Sequence, residues 1–233
     1  MIDKILKELK SKKNIEQAKG LSRFFKTGKG QYGEGDIFWG IKVPVIREIV
    51  NKFKEASLID IQELLNSKVH EHRLTGLLIL VERNKRAENK KEIYDFYLKN
   101  TKNINNWDLV DLTAPHIIGG FLLENKKERK VLYSLVKSKD LWERRISILS
   151  TFTLLRNKEY EDVLKISEIL LKDKHDLIHK AVGWMLRELG KRDKDVEIKF
   201  LEKYYKVMPR TMLRYSIEKF NLKEREKYMK KEA

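Results

Sequence analysis

Apolar residues recur along the chain at the period of an α-helix. Leu74, Leu77, Leu78 and Val81 fall at i, i+3, i+4 and i+7, and Val182, Met185, Leu186 and Leu189 repeat the pattern. Each set predicts a helix with a buried face. No segment alternates apolar and polar for long enough to suggest a strand. The pattern breaks at Asn157-Lys158, at Lys172 to Lys174 and at Met208-Pro209. Proline suits the first turn of a helix, because its missing N–H has no partner there anyway. The chain therefore reads as all-α, with about twelve helices joined by short connections.

Segments of similar shape recur as well. Arg73-Leu-Thr-Gly, Arg145-Ile-Ser-Ile, Lys180-Ala-Val-Gly and Arg214-Tyr-Ser-Ile each place a cation before an apolar residue and then a small or β-branched one. Asp111-Leu-Thr-Ala has the same shape with an acid in the basic slot, and the five starts lie 38, 34, 35 and 34 residues apart. Second helices fall between them, such as Glu92–Lys99 and Val163–Leu171. A helix pair at this interval is the signature of an α-solenoid, in which stacked pairs leave a concave surface and equivalent positions form a row along it. Helix packing spaces that row at about 10 Å. A file of cations so arranged suits a phosphate backbone, whereas a purely structural row would ion-pair each member to the next repeat.

Composition sharpens the reading. The 233 residues carry 51 Lys and Arg against 35 Asp and Glu, a net charge of +16. Such an excess fits a polyanionic partner. There is no cysteine, which excludes disulfides, thiolate nucleophiles and cysteine-ligated metals. No apolar run approaches the roughly 20 residues of a membrane span, and the charged start M-I-D-K-I-L-K-E-L-K is no secretory signal. A cytoplasmic, monomeric protein with no membrane, metal or cofactor is expected.

Asp111 is out of register with the cations, and an acid in a cationic groove repels phosphate. Its task is either structural, as a partner of Arg145, or chemical. Trp107 lies one helical turn before it and Trp184 one turn after Lys180. Pro115 lacks the N–H that would bond the Asp111 carbonyl, so the helix stops or kinks there. Residues 28–40 hold five of the eleven glycines and a literal G-x-G-x-x-G from Gly28 to Gly33. No strand precedes it, so a flexible loop whose bare backbone approaches a phosphate chain is preferred to a dinucleotide site. His175 and His179 have the spacing of a helical metal pair but lack a third ligand nearby, and His70 and His72 face different sides of a helix. Ser22 reads as a helix-face residue, and the tail from Leu222 to Ala233 as a solvated helix or frayed end.

The runs N-N-W-D-L-V-D-L-T-A-P at 105–115, L-W-E-R-R at 141–145 and K-A-V-G-W-M-L-R-E at 180–188 resemble the AlkD-type alkylpurine DNA glycosylases, built of HEAT-like repeats. So do F-K-T-G-K-G-Q-Y-G-E-G-D at 25–36 and V-P-V-I-R at 43–47. The likeness extends from about residue 14 to about residue 222 and implies a single HEAT-like repeat domain over 1–233. It implies that Asp111 is the catalytic carboxylate, that Trp107 and Trp184 are active-site indoles, and that Arg145 is a groove arginine. Lys42, Arg47, Arg187 and Arg214 then fall where the family touches the DNA backbone, and Arg73 and Lys180 join them through the cationic row. Phe24 stands where some members carry a tyrosine over the lesion. The implied activity is hydrolysis of the N-glycosidic bond of cationic N3- or N7-alkylated purines in duplex DNA, leaving an abasic site. A non-catalytic binder of damaged or branched DNA and a scaffold for an acidic protein are the alternatives.

Overall fold

The structure is a computed structural model that describes residues 1–230. The chain packs as two units, Met1–Thr113 and Ala114–Ala233. In the first unit α1 (Ile2–Ser11), α2 (Ile15–Phe24), α3 (Val43–Lys52), α4 (Leu58–Leu65), α5 (His70–Arg86), α6 (Lys90–Lys99) and α7 (Trp107–Asp111) follow one another. Their starts are written in the sequence. The Asn14 side chain accepts from Gln17 N to cap α2, and Ser57 and Asp60 form a reciprocal capping box on α4. Pro44 occupies the first turn of α3.

Helix α5 is the centre of this unit, packed by α3, α4, α6 and α7. Leu74, Leu77, Leu78 and Val81 are buried as their spacing predicts. The burial goes further round the helix than a single face, taking in His70, Glu71, His72 and Arg73 at its start. Buried charge of that kind demands partners, and supplying them organises the candidate site.

The second unit begins with a π-helical turn at Pro115–Gly119 and continues through α8 (Gly120–Glu124), α9 (Lys130–Leu135), α10 (Leu141–Arg156), α11 (Glu161–Leu170), α12 (Asp176–Gly190), α13 (Lys194–Tyr204), α14 (Arg210–Ser216) and α15 (Leu222–Met229). Here α10 packs on α9, α11 and α12, and α12 packs on α11, α13 and α14. The close approach of α12 to α14 depends on Gly183, where a Cβ would collide with the Met212 carbonyl. Val182, Met185, Leu186 and Leu189 are fully buried in this unit.

Among the described residues the chain forms fifteen α-helices rather than about twelve, and no strand beyond one parallel bridge between Ile37 and Val69. The shortest of them include α7, α8 and α9, of 5, 5 and 6 residues. Segments so short carry too few turns for a period to register. Helix α7 ends at Asp111, four residues ahead of Pro115, as the missing N–H requires. The tail is not simply solvated: Asn221 and Glu224 cap α15, and Tyr228 is buried with its hydroxyl donating to Glu202 at 2.9 Å. Residues 231–233 of that predicted tail lie outside the described residues.

Candidate active site

Helix α7 carries both Trp107 and Asp111, and a buried polar network fixes where it starts. The Asp36 carboxylate accepts from Arg73 at 2.7 Å, from Asn106 at 3.3 Å and from Asn105 at 3.4 Å. His70 spans the two acids, Nε2 at 2.8 Å from Asp108 and Nδ1 at 3.3 Å from Asp36. Asn106 also accepts from Trp107 N at 2.9 Å, so the residues just before the helix are tied down on both sides.

Electrostatics keep this network charged. Burial pulls the His70 pKa down, but the charge and hydrogen bond of Asp108 and the hydrogen bond to Asp36 outweigh it and push it up to about 9. Burial also works against the Asp36 carboxylate, yet His70 and Arg73 hold its pKa below the ordinary value. Two residues along, His72 goes the other way. Burial, with the charges of Lys13 and Arg73, lowers its pKa to about 4.

Aromatic packing carries this order to Trp107. Phe38 stacks on His70 with centroids 4.5 Å apart, and Phe25 stacks on Phe38 at 4.9 Å. Phe25 in turn lies parallel to Trp107 at 5.1 Å, and the exposed Phe24 meets the same indole edge-on at 5.9 Å. Trp107 and Asp111 themselves are half-exposed. The result is a half-buried carboxylate one helical turn from an indole held in place by stacked rings. A cation presented there meets a negative charge and a π-face together.

The glycine-rich segment is more constrained than a bare, flexible loop. Glu71 accepts from the backbone N–H groups of Trp39 (2.9 Å), Gly40 (2.7 Å) and Ile41 (3.2 Å), so those donors are already used. Gly40 has a φ of +78°, and a Cβ there would strike the Asn14 carbonyl.

The cations predicted to form one row fare differently. Arg73 is only 3% exposed and is spent on Asp36 and the Ser67 carbonyl, which removes it from any phosphate-facing surface. Arg145 is buried and donates to the Leu177 carbonyl at 2.5 Å. Lys180 pairs with Asp176 at 2.7 Å, and Arg187 with Glu218. Lys42, Arg47 and Arg214 are exposed. Trp184 is half-exposed, 6.0 Å from the Phe152 ring, over which the guanidinium groups of Arg156 and Arg192 sit at 5.7 and 5.9 Å.

The chain matches the DNA alkylation repair enzyme family over residues 5–220. It belongs to that family. Membership makes repair of alkylated DNA its role and DNA its partner. No curated protein gives a significant match to the sequence. The fold is also that of a solved structure, a predicted DNA alkylation repair enzyme from Enterococcus faecalis, with a TM-score of 0.71 at 16% identity, covering 91% of this chain and 98% of that one. Among the described residues no helix is long and apolar enough to cross a membrane, and no group of three or more His, Cys, Asp or Glu could hold a metal ion. His175 caps α12 by accepting from Leu177 N at 3.2 Å, and His179 lies 2.6 Å from the Asp173 carbonyl.

Sequence reasoning overlooked the Asp36–His70–Asp108–Arg73 network. Its signal was available: a buried apolar helix that opens on His-Glu-His-Arg has to find counter-charges, and Asn-Asn before Trp107 supplies amide donors for one of them.

Proposed function

We propose that this family member is a DNA glycosylase that hydrolyses the N-glycosidic bond of cationic N3- or N7-alkylated purines in duplex DNA. The observation that carries the reading is the half-exposed Asp111 one turn from the ring-braced, half-exposed Trp107. An alkylated purine already carries positive charge, so cleavage of the C1′–N bond sends the bonding pair to the base and neutralises it. No acid is needed for the leaving group, unlike ordinary glycoside hydrolysis with its two carboxylates. The sugar is left as an oxocarbenium-like cation. Asp111 stabilises that charge and orients a water, whose oxygen bonds to C1′ while its proton is given up to the carboxylate or to solvent. The Trp107 face favours the charged lesion over a neutral base by about 0.5–2 kcal/mol.

For Trp184 and Arg145 the support is the family likeness. Lys42, Arg47 and Arg214 are the exposed cations proposed to meet phosphate. The α-solenoid of HEAT-like repeats gains support from register: Asp111, Arg145, Lys180 and Arg214 are each the fifth residue of their helix, and Arg73 the fourth. Incubation with methylated duplex DNA, followed by identification of the freed base, tests the activity. Release of 7-methylguanine or 3-methyladenine supports it. Retardation of the duplex without a freed base replaces it with a non-catalytic binder.

A further inference from the structure

Helix α7 has 5 residues, too few to hold its own shape, so both of its ends have to be fixed from outside. The Trp107 end is tied through Asn106 to Asp36. A separate chain of hydroxyls reaches the Asp111 end. The Thr113 hydroxyl donates to the Leu109 carbonyl at 2.5 Å, two residues before Asp111. Its one proton is then spent, so the Tyr97 hydroxyl, 2.9 Å away, donates to the Thr113 oxygen. Thr113 N bonds the Val110 carbonyl at 3.1 Å. At the Asp111 carbonyl the ordinary i+4 bond is missing, because Pro115 has no N–H to give.

Tyr97 belongs to α6, and both it and Thr113 are fully buried. Burial raises the pKa of the Tyr97 phenol, the bond to Thr113 opposes that, and the nearby Asp111 charge adds to it, so the donor stays protonated. Phenylalanine would fill the same space with no polar atom to satisfy. Among the described residues the only hydrogen bond of the Tyr97 hydroxyl is the one to Thr113, and it serves the end of α7 that carries the acid.

We propose that Tyr97 is a positioning residue for base release, which through Thr113 fixes the last turn of α7 and thereby the direction of the Asp111 carboxylate. The role rests on the glycosylase reading of Asp111 and extends it to a buried side chain that touches no substrate.

Release of 7-methylguanine from methylated duplex by the full chain is followed with kcat and KM separated, at a temperature below every variant's melting point. Tyr97→Phe is expected to lower kcat about tenfold with KM unchanged, because a small misplacement of the catalytic group slows chemistry and not binding. Thr113→Val, which keeps the shape and loses the hydroxyl, is expected to do the same, the double variant to be no slower than either, and Thr113→Ser to keep the wild-type rate. In the Asp111→Asn background Tyr97→Phe is expected to change the residual rate no further, whereas a general loss of packing would slow both backgrounds. A wild type that releases no base overturns the glycosylase reading and the role with it. With an active wild type the role alone is overturned if Tyr97→Phe keeps its kcat, if the loss falls in KM, or if the Asp111→Asn background loses the same factor.

Discussion

Phe25 lies parallel to Trp107, ring centroids 5.1 Å apart and planes 15° from each other, and it also packs on Phe38 and on His70. One buried ring thus links the charged network around His70 to the indole beside Asp111. The catalytic proposal depends on that order, because a cation–π contact requires the indole to be in place before the substrate arrives.

The linkage is measurable as a coupling energy. In a double-mutant cycle of Phe25→Leu and Trp107→Leu, followed by urea unfolding, the two substitutions are expected to be non-additive by about 0.5–1.5 kcal/mol. Additivity within error would show that the two rings do not support each other.

Substituting the acid separates binding from chemistry. Asp111→Asn keeps nearly the same shape and is expected to bind methylated duplex at least as tightly as the wild type. Release of 7-methylguanine should slow by roughly 100- to 1,000-fold, as for loss of other groups that stabilise transition-state charge. Unchanged release removes Asp111 from the mechanism.

Two arginines of the predicted row should now behave in opposite ways. Arg73→Ala leaves two buried acids, Asp36 and Asp108, to share the His70 cation and is expected to cost about 3–5 kcal/mol of stability. Arg214→Ala, at an exposed site, should change stability by about 0.5 kcal/mol or less while reducing the slope of log affinity against log salt by about one. A smaller salt slope for a folded Arg73 variant, with none for Arg214, would reverse the assignment.

His70 gives the first unit a signature in pH. Its folded-state pKa, about 9, lies above the ordinary 6.5, so its protonation stabilises the fold fully below about pH 6.5 and the contribution is lost as pH rises through 9. The difference in unfolding free energy between the wild type and His70→Gln is expected to shrink over that window by a few kcal/mol, on the order of the shift. A constant difference from pH 6 to 10 would mean that His70 is not held as a cation.

The second unit holds a mirror case. Glu197 is buried on α13, and burial raises its pKa to about 8, only partly opposed by Lys194. A carboxyl with a raised pKa stays protonated in the fold after the unfolded chain has ionised, so stability falls between about pH 4.5 and 8. Glu197→Gln is expected to flatten that decline and to stabilise the protein at pH 8 by on the order of 2 kcal/mol.

The all-α class, the buried faces of α5 and α12, the break before Pro115 and the adjacency of Trp107 and Asp111 on one helix face were legible in the order of residues. These are local matters, decided by side-chain period, by a missing N–H and by one turn of helix. Tertiary structure decided which charges are usable. Arg73 and Arg214 look alike in their repeats, yet one is buried against Asp36 from a distant loop and the other faces solvent, because burial is set by what packs over a residue and not by its register. The same holds for His70, whose charge comes from Asp36 and Asp108, 34 and 38 residues away in the chain.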